Sequence, residues 1–443
     1  MLSVFLEKVS GYLDKRFLFS VWFPSFLFGA AGAIVATVAV GPQATVNAWS
    51  ALPPLTQVWL SVGGLVLITF FAYVCDNLLG TMIRFYEGYW PEWAQGLGRI
   101  PVGVQRRRWQ HLKDRLDLAS TQEWNIKRAL EWVEHEPTPH RTLASSKTDL
   151  QERVEQFRTD LGRIPREKEE RRAGELVTLF HQLQSLRADI RGEFERDPSH
   201  QAIWKDTERE LVRTFAEQCN QEKERVHAEY DRLYAELYRT FPQAPARLMP
   251  TRLGNVIRAA EEYSQIVYNF DAPTVWPRLV QLLPVEFQAR LEQSSTPLTA
   301  MLFCAALSFL FAVTGGTVLF FVASQWWLFL GTVAGGLILC NWCYESAVHR
   351  AIEYGMLIRT AFDLYRNELL KALLVPLPSS PLEEWKLWPQ LMQWWYFHSP
   401  PFDAAEGKTA WYYEGKKPTT GGPKRDEHML YVKLGAPSEE DGK

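Results

Sequence analysis

Two stretches of the chain carry no charged side chain, residues 17–75 and residues 293–344. Elsewhere, apolar residues recur every three or four positions among charged ones. The first pattern predicts helices that are apolar all round, the second amphipathic helices with one buried stripe. About 20 apolar residues, rising about 1.5 Å each, cross a bilayer core about 30 Å thick. Each uncharged island is too long for one crossing and therefore predicts a hairpin.

In the first island the pattern breaks at Gly41-Pro42, and turn-forming residues continue to Pro53-Pro54. The predicted spans are residues 17–40 and 55–79. In the second island Ser324-Gln325 is the turn, giving spans over residues 298–323 and 326–343. Trp49, Trp59, Trp326 and Trp327 then fall at one interface, where indole rings favour the headgroup level. Pro24 predicts a bend near the start of the first span.

Residues 81–297, between the hairpins, predict a large helical domain. Its first part sets Tyr86, Tyr89, Trp90 and Trp93 beside Arg106, Arg107 and Arg108, a composition suited to lying against anionic headgroups. A helical pattern starts near Leu112 and breaks at Glu136–His140. Leu176, Leu179, Leu183, Leu186 and Ile190, followed by Phe194, form one stripe. Trp204, Leu211, Phe215, Val226, Tyr230, Leu233 and Leu237 form another, with Asp197-Pro198 as the joint. Beyond residue 344, Ile352, Leu357, Phe362, Leu364, Leu369 and Leu373 extend a helix inward until Pro376-Leu377-Pro378 stops it. From Ser399 the chain is rich in Pro, Gly and Lys and reads as a flexible tail, with Met429–Leu434 a short strand or docking segment.

The expected fold class is mostly α: four transmembrane helices in two hairpins, with a helical cytoplasmic domain inserted between them. Lys8, Lys15 and Arg16 precede the first span, and Arg84, Arg99 and Arg106–Arg108 follow the second. The two short hairpin loops hold no Lys or Arg. The positive-inside rule then places both termini and residues 81–297 in the cytoplasm. A cleaved leader is not expected, because a second span follows the first directly.

Composition changes this picture little. The 443 residues have a formal charge of −3 and a mean hydropathy of −0.19, averages of a soluble protein that conceal the segregation. Balanced charge argues against a basic field for nucleic acid. Five cysteines suit a reducing compartment, and Cys340 and Cys343 read as small packing residues.

No phosphate loop, dinucleotide fingerprint, zinc-protease motif or nucleophile elbow occurs. The nearest metal-like cluster is His135, Glu136 and His140, where Pro137 and Pro139 exclude a helical pair. No metal site, cofactor or catalytic residue is therefore expected. Within the spans, small residues recur at Gly29, Ala33 and Thr37, at Gly63-Gly64, at Gly315-Gly316, and at Gly331 and Gly335. Such residues let helix backbones approach closely. Asp76 is the sole acid near a span, and charge-coupled transporters carry ionisable groups near the midplane. A secondary transporter is thus not expected, and the parallel orientation of the hairpins gives no inverted repeat.

Two punctuated blocks border the second hairpin. The first holds Pro250-Thr251-Arg252-Leu253-Gly254-Asn255, Arg258-Ala259-Ala260-Glu261, Asp271-Ala272 and Trp276-Pro277-Arg278-Leu279. The second holds Tyr354-Gly355, Ala361-Phe362-Asp363-Leu364-Tyr365-Arg366 and Pro376-Leu377-Pro378. These blocks and the hairpin layout resemble an uncharacterised family of bacterial inner-membrane proteins. The resemblance implies that location and carries no activity. From the residues themselves, Arg252, Arg258, Arg278 and Arg366 are expected to pair with Glu261, Asp271 and Asp363 in a collar below the spans. Together with Asn255 they are the candidates for gating or for an anionic ligand.

The functional expectation is a non-enzymatic, oligomeric channel or pore-forming effector, gated by its cytoplasmic domain, in an anti-phage or stress response. The alternative is a non-conducting membrane scaffold or signalling anchor. Candidate partners are the lipid bilayer, further copies of the chain, a cytoplasmic protein, and an anionic regulator such as a nucleotide or oligonucleotide at Arg106–Arg108. An enzyme at the membrane face would require Arg252, Arg258 and Arg278 to converge beside a carboxylate.

Overall fold

The computed structural model describes residues 15–134, 147–163, 169–196, 199, 201–322 and 326–397, together with 402–403 and 408–409. The His135–Glu136–His140 cluster, the Asp197-Pro198 joint, the Ser324-Gln325 turn and most of the tail from Ser399, including Met429–Leu434, lie outside the described residues. The described chain is almost entirely helical. It consists of α1 (Phe23–Val40), α2 (Pro42–Ser50), α3 (Pro54–Glu87), α4 (Glu92–Glu134), α5 (Lys147–Gly162) and α6 (Glu169–Arg196). There follow α7 (Gln201–Thr240), α8 (Arg252–Val267), α9 (Ala272–Leu279), α10 (Val285–Val322), α11 (Trp326–Ala372) and α12 (Pro381–Phe397). One antiparallel pair, Phe402–Asp403 with Lys408–Thr409, follows them.

Four helical segments are long and apolar enough to cross a membrane: Leu18–Val40, α3, α10 and α11. Within their apolar windows only 11%, 6%, 39% and 11% of residues are buried by the chain itself. Leaving that much apolar surface in water costs about 25 cal/mol per Å², and soluble monomers rarely expose patches beyond a few hundred Å². These helices therefore belong in an apolar environment. The chain is a membrane-associated protein.

The helices differ from the expected spans at their ends. Pro24 has no N–H for the Ser20 carbonyl four residues back. The backbone widens just there, into a π-helical turn over Leu18–Trp22. The first connection, expected as a loop, contains the nine-residue α2. Gly41 at φ +104° ends α1, and Pro42 presets the first helical φ. Helices α3, α10 and α11 hold 34, 38 and 47 residues, or about 50 to 70 Å at about 1.5 Å per residue. They continue well past the apolar stretches into polar sequence.

Two compact units make up the chain, Met1–Tyr263 with Pro284–Thr360 and Ser264–Leu283 with Ala361–Lys443. In the larger unit, α4 to α7 form a polar helical bundle. Helix α4 begins at Glu92, twenty residues before its stripe becomes legible, because Gly96, Gly98, Pro101 and Gly103 disguise its first turns. Arg115 bonds Glu229 at 2.7 Å and Glu123 meets His227 at 3.1 Å, so α4 and α7 run antiparallel. Leu176, Leu179, Leu183, Leu186 and Ile190 are buried against Leu211, Phe215, Cys219 and Val226. Within this bundle Glu208 and Glu222 are buried with arginines as their partners. Glu208 accepts from Arg187 at 2.9 Å and pairs with Arg191 at 3.3 Å, while Glu222 pairs with Arg225 at 2.6 Å. A second cluster, Val21, Ala72, Leu79, Phe303 and Leu307, joins the apolar helices. A third, Leu253, Val256, Leu298, Leu302, Ala347, Val348 and Ala351, ties α8 to α10 and α11.

The smaller unit is built on Phe270, against which the Phe362 ring packs edge-on at 5.2 Å and the Trp388 ring packs tilted at 4.7 Å. Asn269 takes the left-handed conformation that ends α8. Leu374 takes it at the end of α11, and the N–H of Val375 reaches back to the carbonyl of Leu370 at 3.0 Å. A leucine is strained there, but Val375, Leu369 and Leu370 are buried around it and hold the turn. The Pro376-Leu377-Pro378 stop thus follows a hydrogen-bonded cap that has already ended the helix.

Candidate functional site

The first motif block forms a clamp where α3 ends. Gly88 closes α3 at φ +100°, its N–H bonding the carbonyls of Arg84 and Phe85. Thr251 caps α8 by accepting from the Gly254 N–H at 3.0 Å, and its hydroxyl donates to the Glu87 carbonyl at 3.0 Å. A Cβ on Gly254 would collide with that carbonyl, and one on Gly88 would collide with Pro250. Asn255 is fully buried. Its amide donates to the carbonyls of Met249 and Thr251 and accepts from the Met249 N–H, at 2.8 to 3.0 Å. The Pro-Thr-Arg-Leu-Gly-Asn run is thus a backbone lock, with each side chain assigned by sterics or hydrogen bonding.

Beside the clamp lies a buried cation that the sequence reading did not single out. Arg359 on α11 is 4% exposed and faces no carboxylate among its described contacts. Its guanidinium donates to the carbonyl of Tyr238 at 2.9 Å and to that of Ala259 at 2.8 Å. It also lies 4.1 Å from the Tyr238 ring centroid and 5.5 Å from that of Tyr263. Tyr238 is in the last turn of α7, whose free carbonyls carry the negative end of the helix dipole and attract a cation. One side chain therefore binds α7, α8 and α11 together. Its signal in the sequence was position: Gly355 lies four residues before it and Phe362 three after, so an arginine stands on the apolar stripe.

The predicted ligand or gating residues divide between the two units. In the larger, Arg252 pairs with Glu345, and Arg258 lies 3.5 Å from Glu261 and 3.6 Å from Glu262. Burial, with Glu261 nearby, pushes the Tyr89 phenol up against the opposing pull of Arg258. In the smaller unit Asp271 caps α9, accepting from Thr274 N–H at 3.1 Å, and also accepts from Tyr396 at 3.2 Å. Arg278 donates to the Thr274 carbonyl and stacks on Trp395 at 4.2 Å. Asp363 accepts from Tyr268 at 2.7 Å. Arg366 bonds Glu384 at 2.7 Å and also the Asp363 carbonyl. Of the expected collar pairs, the structure forms Arg258–Glu261. Glu345, Glu262 and Glu384 take roles assigned in advance to nearer acids, because each lies on a facing helix or one position along the same helix.

Among the small residues of the spans, Gly29 meets Ile68, Gly315 meets Thr332 and Gly316 meets Val333. Gly63, Gly64, Gly331 and Gly335 face open space within the chain. Ala33 and Asp76 are exposed, and Thr37 bonds the Ala33 carbonyl of its own helix at 2.8 Å. Arg106, Arg107 and Arg108 are exposed on α4. Arg107 and Arg108 border a cleft of about 650 Å³ that Arg252 also lines. Against protein-family models, curated proteins and solved structures, nothing matches the chain.

Proposed function

We propose that the chain is a subunit of an oligomeric channel in a bacterial inner membrane, gated by its helical domain on the cytoplasmic side. The observation that carries this reading is the Arg359 pin. Helix α11 is at once an apolar membrane crossing and, 16 residues or about 24 Å beyond Cys343, part of a polar base where it meets α7 and α8. Arg359 fastens it there to the last turn of α7, one of the long helices of the bundle. Movement of the bundle is therefore transmitted to a membrane helix through a stiff element. Gly63, Gly64, Gly331 and Gly335, unfilled within the chain, suit close approach of a second copy. The excess of Lys and Arg outside the hairpin loops supports the cytoplasmic placement. By analogy of architecture, such a channel suits an effector that depolarises the membrane in an anti-phage or stress response.

The scaffold alternative calls for an exposed apolar stripe on the helices of residues 150–238. Among the described residues there, Ile203 and Tyr234 are the exposed large apolar side chains. They are 31 positions apart on α7 and make no stripe.

Ion flux through liposomes containing the purified protein, beside the size of its detergent complex, tests the proposal. The expected result is flux from a defined oligomer, with Arg359→Ala changing flux several-fold at unchanged complex size. A silent monomer or dimer, silent also with cell extract as a source of trigger, would sink the channel reading and favour the anchor.

A further inference from the structure

The cleft between α4, α7, α8 and α11 combines features that point to one class of ligand. Its floor is apolar, formed by the buried Phe241, Val256 and Val348. Three arginines line it, with His111 beside them. Arg252 is compensated by Glu345, but Arg107 and Arg108 make no ion pair among the described residues. Gln105 also lines the cleft. It is 6% exposed, and its Oε1 is buried with no hydrogen-bond partner. Native proteins seldom leave such an atom unpaired, and each instance asks for an explanation. Glu236 adds an acid to the same lining.

A sulfate or carboxylate, which has no donor at neutral pH, satisfies the arginines alone. It leaves the Gln105 oxygen unpaired and is repelled by Glu236. A ligand with a phosphate and, next to it, a hydroxyl or ammonium donor satisfies both sets. Paired guanidinium groups match phosphate oxygens in charge and geometry. The volume is that of a small-molecule site, about 300–1,000 Å³, and exceeds what one inorganic phosphate fills. Position narrows the source further. Val348 lies five residues past Cys343 on α11, or about 7.5 Å at about 1.5 Å per residue. That is the depth of the headgroup layer, about 5–8 Å on each side of the hydrocarbon core.

We infer that this cleft binds a phosphate-bearing group with an adjacent hydroxyl or ammonium donor, the arginines taking the phosphate and Gln105 with Glu236 the donor. A phospholipid headgroup and a soluble nucleotide share that chemistry. The assignment rests on placing this base at the membrane face, which belongs to the functional reading above, and does not depend on conduction.

Titration calorimetry of the full-length protein in neutral detergent tests it, with dihexanoyl phosphatidylglycerol, dihexanoyl phosphatidylethanolamine, AMP and inorganic sulfate as probes. At least one organic probe is expected to bind more tightly than about 1 mM, and R107Q/R108Q to weaken it about tenfold or more, as loss of charge-assisted bonds implies. Gln105→Leu should weaken the donor-bearing probes about fivefold and leave inorganic sulfate unchanged, because only an acceptor is lost. Binding of the lipid probes alone assigns a headgroup, and binding of AMP alone a soluble ligand. The inference is overturned if no organic probe binds below about 1 mM, or if R107Q/R108Q binds like the wild type. Flux is measured separately. A protein that binds but does not conduct removes the channel reading and keeps the site; one that conducts without binding removes the site alone.

Discussion

Where α10 packs on α11, Gly316 faces Val333 and Gly336 faces Ala312 so closely that an added Cβ would lie 2.6 and 2.7 Å from its neighbour. Between α1 and α3, Gly29 has such a neighbour, Ile68 at 3.0 Å, while Gly32, Gly63 and Gly64 meet nothing. The apolar windows set α10 apart rather than its pair, with 39% of the α10 window buried against 11% for α11, 11% for Leu18–Val40 and 6% for α3. The same residue type at similar spacing thus serves two ends. Gly316 and Gly336 permit backbone contact between α10 and α11 within the chain. Gly63 and Gly64 on α3, like Gly331 and Gly335 on the other face of α11, leave a shallow surface for lipid or a second copy. Spacing alone does not distinguish these uses, because a lipid tail and an apolar side chain are alike as solvents.

Substitution at these positions separates them. The largest effect is expected for Gly336→Leu, which must move Ala312 and the Ser308 carbonyl apart. Overpacking of this kind costs about 1–3 kcal/mol, read as a lowered melting temperature in detergent. An unchanged melting temperature would mean that α10 and α11 do not cross so closely. Gly63→Leu with Gly64→Leu meets open space and should change stability by less than about 0.5 kcal/mol. Size measurement decides what those glycines face: a smaller complex means another copy, an unchanged one means lipid.

The polar bundle supplies a reference outside both helix pairs. Burial, aided by the Glu222 carboxylate, pushes the Cys219 thiol up to about 12, so at neutral pH it is an unreactive thiol. Maleimide should leave Cys219 unmodified in the wild type and in every glycine variant. Labelling of Cys219 in Gly336→Leu would show that the damage spreads beyond α10 and α11. The smallest effect concerns α12. Its Glu383 carboxylate accepts from the Ser379 hydroxyl and N–H at 2.7 and 2.8 Å, bonds that hold it below the usual carboxylate range. A depressed folded pKa contributes stability above the unfolded value and loses it as pH falls through the folded one. Amide exchange in the first turn of α12, corrected for intrinsic rates, should therefore quicken towards acid pH in the wild type and be flatter in Glu383→Gln.

Much of the architecture was legible before any coordinates. The four apolar segments, the Gly41 break and the bundle stripes from Leu176 to Ile190 follow from periodicity, which reports burial directly. Helix ends were less legible. The start of α4 was hidden by glycines and Pro101, and α2 by a run that reads as turn. At the candidate site, the sequence singled out Gly254 and Asn255 but not their tasks. Gly254 is required by the Glu87 carbonyl, 167 positions away, and Asn255 by the carbonyls of Met249 and Thr251.

What the sequence by itself determined is where each helix meets an apolar or a polar environment, since hydrophobic transfer is local and roughly additive along a chain. Tertiary structure alone decided the pairing. It chose Glu345 for Arg252 and Glu384 for Arg366, and it placed Arg359 against two carbonyls rather than an acid. Ion pairs and hydrogen bonds act over a few ångströms and need the right direction. Which groups come that close is set by how whole helices pack, and adjacency along the chain does not encode it.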